Sequence, residues 1–134
     1  MDRIRVVFVC LGNICRSPLG EGLFRHKVAA AGLDQAFLID SSGTSAYHVG
    51  ELPDPGSIDV ARRHGVDLTA QRSRQFAAEE VRGWDYIVAM DHSNRRNILR
   101  LVNDDADAVR GKLWLMRNFE FEADGTGDDD DVPD

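Results

Sequence analysis

Apolar residues in this chain come in short runs that alternate between strand-like and helix-like stretches. Ile4–Val9 is nearly all apolar, as expected of a central strand buried on both faces of a parallel sheet. Leu19–Ala31 reads as a helix closed by Gly32. Phe37–Asp40 reads as a second strand, followed by a stretch in which Gly43, Gly50, Pro53, Pro55 and Gly56 predict irregular backbone. Ile58–His64 is predicted to be a short helix ended by Gly65, and Phe76–Val81 a helical turn or two. A third strand, Tyr86–Met90, is bounded by Asp91. Ser93–Val102 places Ile98, Leu99 and Val102 on one helical face, and Leu113–Met116 is a fourth strand. Strands alternating with helices predict an α/β protein, with a four-stranded parallel sheet and helices on both faces. Such sheets bind ligands at the carboxyl ends of their strands, near the topological switch point. That rule points to the loop after the first strand. The 134 residues suit one domain, 1–134, and show no internal repeat.

Charge and composition narrow the possibilities. A net charge of −7 argues against nucleic acid or an anionic membrane as the main partner. No apolar run approaches the length of a membrane span, and no signal-peptide pattern is present. Two cysteines make no disulfide framework and suit a reducing compartment, so a cytoplasmic location is expected. The histidines His26, His48, His64 and His92 show no paired ligand spacing, and no metal or cofactor is expected.

The loop after the first strand is Cys10-Leu11-Gly12-Asn13-Ile14-Cys15-Arg16-Ser17-Pro18. Between a strand and a helix N-terminus, its backbone N–H groups converge into an anion nest, and the helix dipole adds positive potential. Arg16 can offer two parallel donors to two phosphate oxygens. The same positive field favours a thiolate on Cys10, and a thiolate beside a bound phosphate is a nucleophile aimed at phosphorus. Ser17 is the expected N-cap, with Pro18 at the first helical position, and its hydroxyl can donate to the thiolate. Gly12 and Asn13 tolerate the positive φ angles of a tight nest. A bare Cys-x5-Arg is equally the mark of a buried core cysteine near a surface arginine. The complete string in its strand–loop–helix setting favours the chemical reading.

This loop resembles that of the low-molecular-weight protein tyrosine phosphatases, and the resemblance runs from Ile4 to Asp134. Asp40-Ser41-Ser42-Gly43-Thr44, Tyr47-His48-Val49-Gly50 and Pro53-Asp54-Pro55 are similar to the family's second strand and the loop beside its active site. Arg72-Ser73-Arg74-Gln75 and the run from Trp84 to Asn94 are similar to its later landmarks. The resemblance implies a flavodoxin-like, Rossmann-like sheet with a phosphate loop after strand 1. It also implies hydrolysis of phosphotyrosine in a protein substrate through a cysteinyl-phosphate on Cys10, with inorganic phosphate and other oxyanions as product or inhibitors. Arg16 and the loop residues Leu11, Gly12, Asn13, Ile14, Cys15 and Ser17 would hold the phosphoryl group. Tyr47 is similar to an aromatic pocket wall, although an ordinary loop tyrosine fits the same position. Ser42 resembles the serine that supports the Asn13 turn, or is a plain strand-end serine. Asp91 either faces the loop or caps the helix that follows it. Many relatives carry a histidine just before the Arg-x-Arg-Gln segment; Gln71 is the nearest match here, which weakens any Asp91–histidine pair. In the family the two loop cysteines can form a reversible disulfide, so Cys15 is expected to capture an oxidised Cys10.

Rival readings differ at single positions. Arsenate reductases of this fold need further cysteines, which the sequence does not contain. Protein-arginine phosphatases resemble this chain but carry threonine at the position of Ile14. A catalytically impaired phosphate-binding domain is the third possibility. Residues 120–134 are acidic, with Asp128-Asp129-Asp130-Asp131 in a row, and predict a solvated flexible loop. Val132-Pro133-Asp134 is similar to the start of the family's Asp-Pro-Tyr loop, making Asp134 the expected general acid. The sequence stops there, without the C-terminal helix that the resemblance implies. A longer natural protein is expected in preference to a chain that has lost the element, a loss that would uncover apolar sheet surface and invite self-association.

Overall fold

A computed structural model describes residues 2–119. Strand β1 (Ile4–Cys10) leads through the Cys10–Arg16 loop into helix α1 (Arg16–Ala30). Strand β2 (Phe37–Gly43) follows, then α2 (Pro55–Arg63), β3 (Tyr86–Ala89), α3 (His92–Leu101) and β4 (Leu113–Leu115), with short 3-10 turns between them. All strand pairs are parallel and their spatial order is β2-β1-β3-β4. The chain leaves β1 for one side of the sheet and returns to its other side at β3. The carboxyl end of β1 is therefore the switch point, and Cys10 ends that strand.

Alternation along β1 divides the core. Val6, Phe8 and Cys10 join Ile39, Val88 and Met90 on the face covered by α1, while Val7 and Val9 join Phe76, Ile87, Ile98 and Leu115 on the face covered by α3. Helix α1 lies close to its face because Gly20 has no side chain: a Cβ there would sit 2.9 Å from the Phe8 ring. At its end, Gly32 takes φ 73° and the N–H groups of Gly32 and Leu33 bond back to the Ala29 and Val28 carbonyls, a Schellman stop. No helix among the described residues is long and apolar enough to cross a membrane.

Two helix starts differ from the sequence reading. Helix α1 begins at Arg16, so its cap residue is Cys15 and Ser17 lies inside the first turn. Ser17 does not cap the helix; its hydroxyl is drawn to Cys10 and Asn13 instead. Helix α2 begins at Pro55, three residues before the predicted Ile58, because the Asp54 carboxylate caps it by accepting from the Gly56 N–H. Strand β2 runs to Gly43, past the predicted Asp40, paired along its length with β1. The acidic segment 120–134 and Asp134 lie outside the described residues.

Candidate active site

The loop from Cys10 to Arg16 is held from outside by its carbonyls. The Cys10 and Leu11 carbonyls accept from the Thr44 and Ser45 N–H groups, both at 2.9 Å, and the Ile14 carbonyl from the Asp54 N–H at 2.6 Å. Ser73 Oγ donates to the Gly12 carbonyl at 2.8 Å and Ser57 Oγ to the Cys15 carbonyl at 3.1 Å. Every described peptide is trans, and a trans peptide points its N–H opposite to its C=O. With those carbonyls turned outward to the scaffold, the N–H groups of Leu11, Gly12, Asn13, Cys15 and Arg16 turn inward. The result is a nest for an anion at a helix N-terminus.

Cys10 sits at its floor, 2% exposed, with Ser17 Oγ 3.1 Å from Sγ and the Asn13 N–H bonded to Sγ at 3.3 Å. Asn13 takes φ 55°, in the left-handed region. Its side chain fastens that turn: Nδ2 donates to Ser17 Oγ at 2.8 Å and to Ser41 Oγ at 3.0 Å, and Oδ1 accepts from the Arg74 N–H at 2.9 Å. The hydroxyl that holds Asn13 belongs to Ser41, not to Ser42 as the sequence suggested. The β1–β2 register explains the difference. Ser41 pairs with Phe8, on the face of Cys10, whereas Ser42 pairs with Val9 on the opposite face. Ser42 supplies its carbonyl to Ser17 Oγ at 3.3 Å. Gly43 closes the back of the loop: a Cβ there would lie 2.7 Å from the Leu11 carbonyl oxygen and 2.9 Å from the Asn13 nitrogen.

Arg16 is the cation of the site. Its Nη1 donates to Asp91 Oδ2 at 2.7 Å, with the Arg16 side chain only 10% exposed. The other Asp91 oxygen accepts from the Asn94 N–H at 2.7 Å and caps α3. The two alternatives read for Asp91 are therefore both true: one carboxylate aims the guanidinium and starts a helix. Gln71 bonds to the Pro18 carbonyl and makes no pair with Asp91. A cavity of about 150 Å³ opens over the loop, lined by Cys10, Gly12, Ile14, Arg16, Tyr47 and His48. Tyr47 is 85% exposed at its mouth, and His48, which lies against Gly12, bonds to Glu51 at 2.8 Å. Cys10 and Cys15 are not joined by a disulfide. A larger hollow of about 660 Å³, lined by Glu21, Arg25, Asp40 and Gln71, lies away from the thiol.

Sequence reasoning missed Ser41, Gly43, Ser57, Ser73 and Arg74. Ser41 and Gly43 stand in one family-like segment and Ser73 and Arg74 in another, and Ser57 follows the Asp-Pro start of α2, so each lay beside a signal that did not single it out.

A thiol at the floor of an amide-lined nest, beside an aimed arginine and at the switch point of a parallel sheet, defines an α/β oxyanion-binding protein of the cysteine-phosphatase type. Comparison with known proteins agrees. A profile described as low molecular weight phosphotyrosine protein phosphatase matches residues 5–134. The protein of that name from Schizosaccharomyces pombe is 50% identical over 117 residues, which cover 87% of this chain and 72% of that one. YfkJ of Bacillus subtilis superposes with a TM-score of 0.90 at 32% identity, covering 100% of this chain and 80% of that one. DARP, an arginine phosphatase of drosophila, gives 0.84 at 29% identity over 98% of this chain and 80% of that one. The chain belongs to the low molecular weight phosphotyrosine protein phosphatase family.

Proposed function

We propose that this protein hydrolyses phosphotyrosine in proteins through a phosphocysteine on Cys10. The observation that carries the reading is the Cys10 thiol, within 3.3 Å of the Asn13 N–H and the Ser17 hydroxyl, facing the same cavity as Arg16. The phosphoryl group docks against the inward N–H groups and Arg16. Cys10 attacks phosphorus in line, the new P–S bond forms as the P–O bond to the tyrosine ring breaks, and the phenolate leaves. Such transition states are loose, so positioning and electrostatics supply most of the acceleration. The resemblance assigns Asp134 to protonate the phenolate. Water then attacks phosphorus, the P–S bond breaks, and the same aspartate takes the water's proton. Ser17 Oγ donates to the sulfur as it regains charge. Inorganic phosphate, the product, and vanadate bind in the same nest and inhibit. A reducing cytoplasm suits a reaction that needs Cys10 as a thiolate, with Cys15 poised to capture it when oxidised.

The structural likeness to an arginine phosphatase keeps a second substrate in view, with a P–N bond broken in place of P–O. Ile14 lines the cavity and presents an apolar wall suited to a phenyl ring. Acid-quenched protein digested after mixing with a phosphotyrosine peptide should yield a Cys10 peptide heavier by one phosphoryl group. A phosphoarginine peptide should be turned over far more slowly, and Ile14→Thr should narrow the gap. Phosphate trapped on any other residue contradicts the reading, and preference for phosphoarginine replaces its substrate.

A further inference from the structure

Glu21 lies within α1, 5% exposed, on the lining of the larger hollow and outside the cavity over the loop. A buried carboxylate is costly unless both oxygens are engaged. Here they are: Oε2 accepts from Arg25 Nε at 2.9 Å and Oε1 from Ser41 Oγ at 2.6 Å. Arg25 in turn donates to the Ile39 carbonyl. An ionised carboxylate can only accept, so the Ser41 proton is committed to Glu21 and its lone pairs face Asn13 Nδ2. The second Asn13 Nδ2 hydrogen occupies Ser17 Oγ, which leaves the Ser17 proton facing Cys10 Sγ at 3.1 Å or the Ser42 carbonyl at 3.3 Å. The Arg74 N–H on Asn13 Oδ1 prevents the amide from turning over.

We infer that Glu21 is a positioning residue for the Cys10 thiolate, acting through Ser41 and Asn13 on the Ser17 hydroxyl and on the Asn13 N–H. The inference rests on Cys10 being the nucleophile of the proposed phosphatase. Glu21 touches neither substrate nor sulfur; it sets the direction of the bonds from Ser41 to Asn13 and from Asn13 to Ser17, and so keeps the Ser17 proton clear of Asn13 and within reach of the thiol. A glutamine substitutes poorly. Its NH2 group faces either Arg25 Nε–H, setting donor against donor, or Ser41. In the second case Ser41 must accept, and its proton exchanges the 2.6 Å bond to Glu21 for the longer reach to Gln71 Oε1 at 3.5 Å, turning the hydroxyl that holds Asn13. Turning Asn13 over sets its NH2 group against the Arg74 N–H.

The test is a double-mutant cycle on the full chain with p-nitrophenyl phosphate, read as the rapid-mix burst rate and KM. Glu21→Gln should slow the burst on the order of tenfold with KM nearly unchanged, and should slow the Asn13→Ala variant less than about twofold, because the path is already cut. Equal slowing in both backgrounds overturns the inference, since Glu21 would then act independently of Asn13. Ser41→Ala cuts the next link. It should reproduce the loss and abolish the effect of Glu21→Gln, and it carries the test if Glu21→Gln fails to fold. A folded wild-type chain with no burst rejects the phosphatase reading alone. The cycle is then read on the rate of Cys10 alkylation by iodoacetate at one fixed pH, where coupling between Glu21 and Asn13 supports the inference and additivity overturns it.

Discussion

Asn13 is the residue on which the loop turns. Its left-handed φ of 55° costs a non-glycine residue about 1–2 kcal/mol, offset by the bonds of its side chain to Ser17, Ser41 and Arg74. That turn is pressed against Gly43, where any Cβ meets loop backbone that cannot rotate away. Gly43→Ala should therefore lower stability by about 1–3 kcal/mol, the usual cost of overpacking, and cut turnover at least about tenfold. Denaturant titration and steady-state kinetics check the pair; an active, equally stable variant contradicts the packing described. Cys10, Arg16 and Asn13 were legible because they stand in one contiguous string whose chemistry depends on local order. Ser41 was not. Choosing it over Ser42 requires the strand register, and adjacent serines are indistinguishable until the Phe8–Ser41 pairing is known.

At the scale of elements, the site is assembled from helix starts. The Cys10–Arg16 loop opens α1, Asp54 caps α2 and holds the Ile14 carbonyl, and Asp91 caps α3 and aims Arg16. The double duty of Asp91 can be separated by substitution. Asn is as good an N-cap as Asp but lacks the charge that orients a guanidinium. Asp91→Asn should leave the melting temperature close to wild type while lowering kcat, whereas Asp91→Ala should also lose about 1 kcal/mol of stability. Equal stability losses in both variants contradict this division. Asp54→Ala should cost about 0.5–2 kcal/mol through the α2 cap, with turnover largely kept because the bond to Ile14 comes from the backbone. The Asp-Pro signal for α2 is present in the sequence, but Pro53, Pro55 and Gly56 together read equally as loop punctuation. The Ser-Pro pair at α1 reads as a cap, whereas the helix starts before it, at Arg16. Patterning located the elements, and their ends followed from contacts made by the folded chain.

Across the whole molecule, the parallel sheet follows from the alternation of strands and helices, but the order β2-β1-β3-β4 emerges only from pairing. The segment before β3 is tied to this sheet through Arg74, whose guanidinium bonds Asp40 at 3.0 Å and Glu80 at 2.9 Å. Burial pushes the Glu80 carboxyl up, but hydrogen bonds from Arg74 and the Ala77 N–H, with the charge of Arg74, hold it below its ordinary 4.5. A carboxyl depressed on folding stabilises the native state above its unfolded value, and that contribution is lost as pH falls through the lower folded value. Stability should therefore decline below about pH 4.5. Glu80→Gln should be less stable at neutral pH with a shallower acid limb in urea titrations, and parallel limbs contradict the assignment. The central claim is that Cys10 is the nucleophile, and rapid mixing with a chromogenic aryl phosphate tests it most directly. A burst of phenol stoichiometric with enzyme, absent in Cys10→Ser, is the predicted result; turnover that survives Cys10→Ser, or a folded chain with neither burst nor turnover, would contradict it.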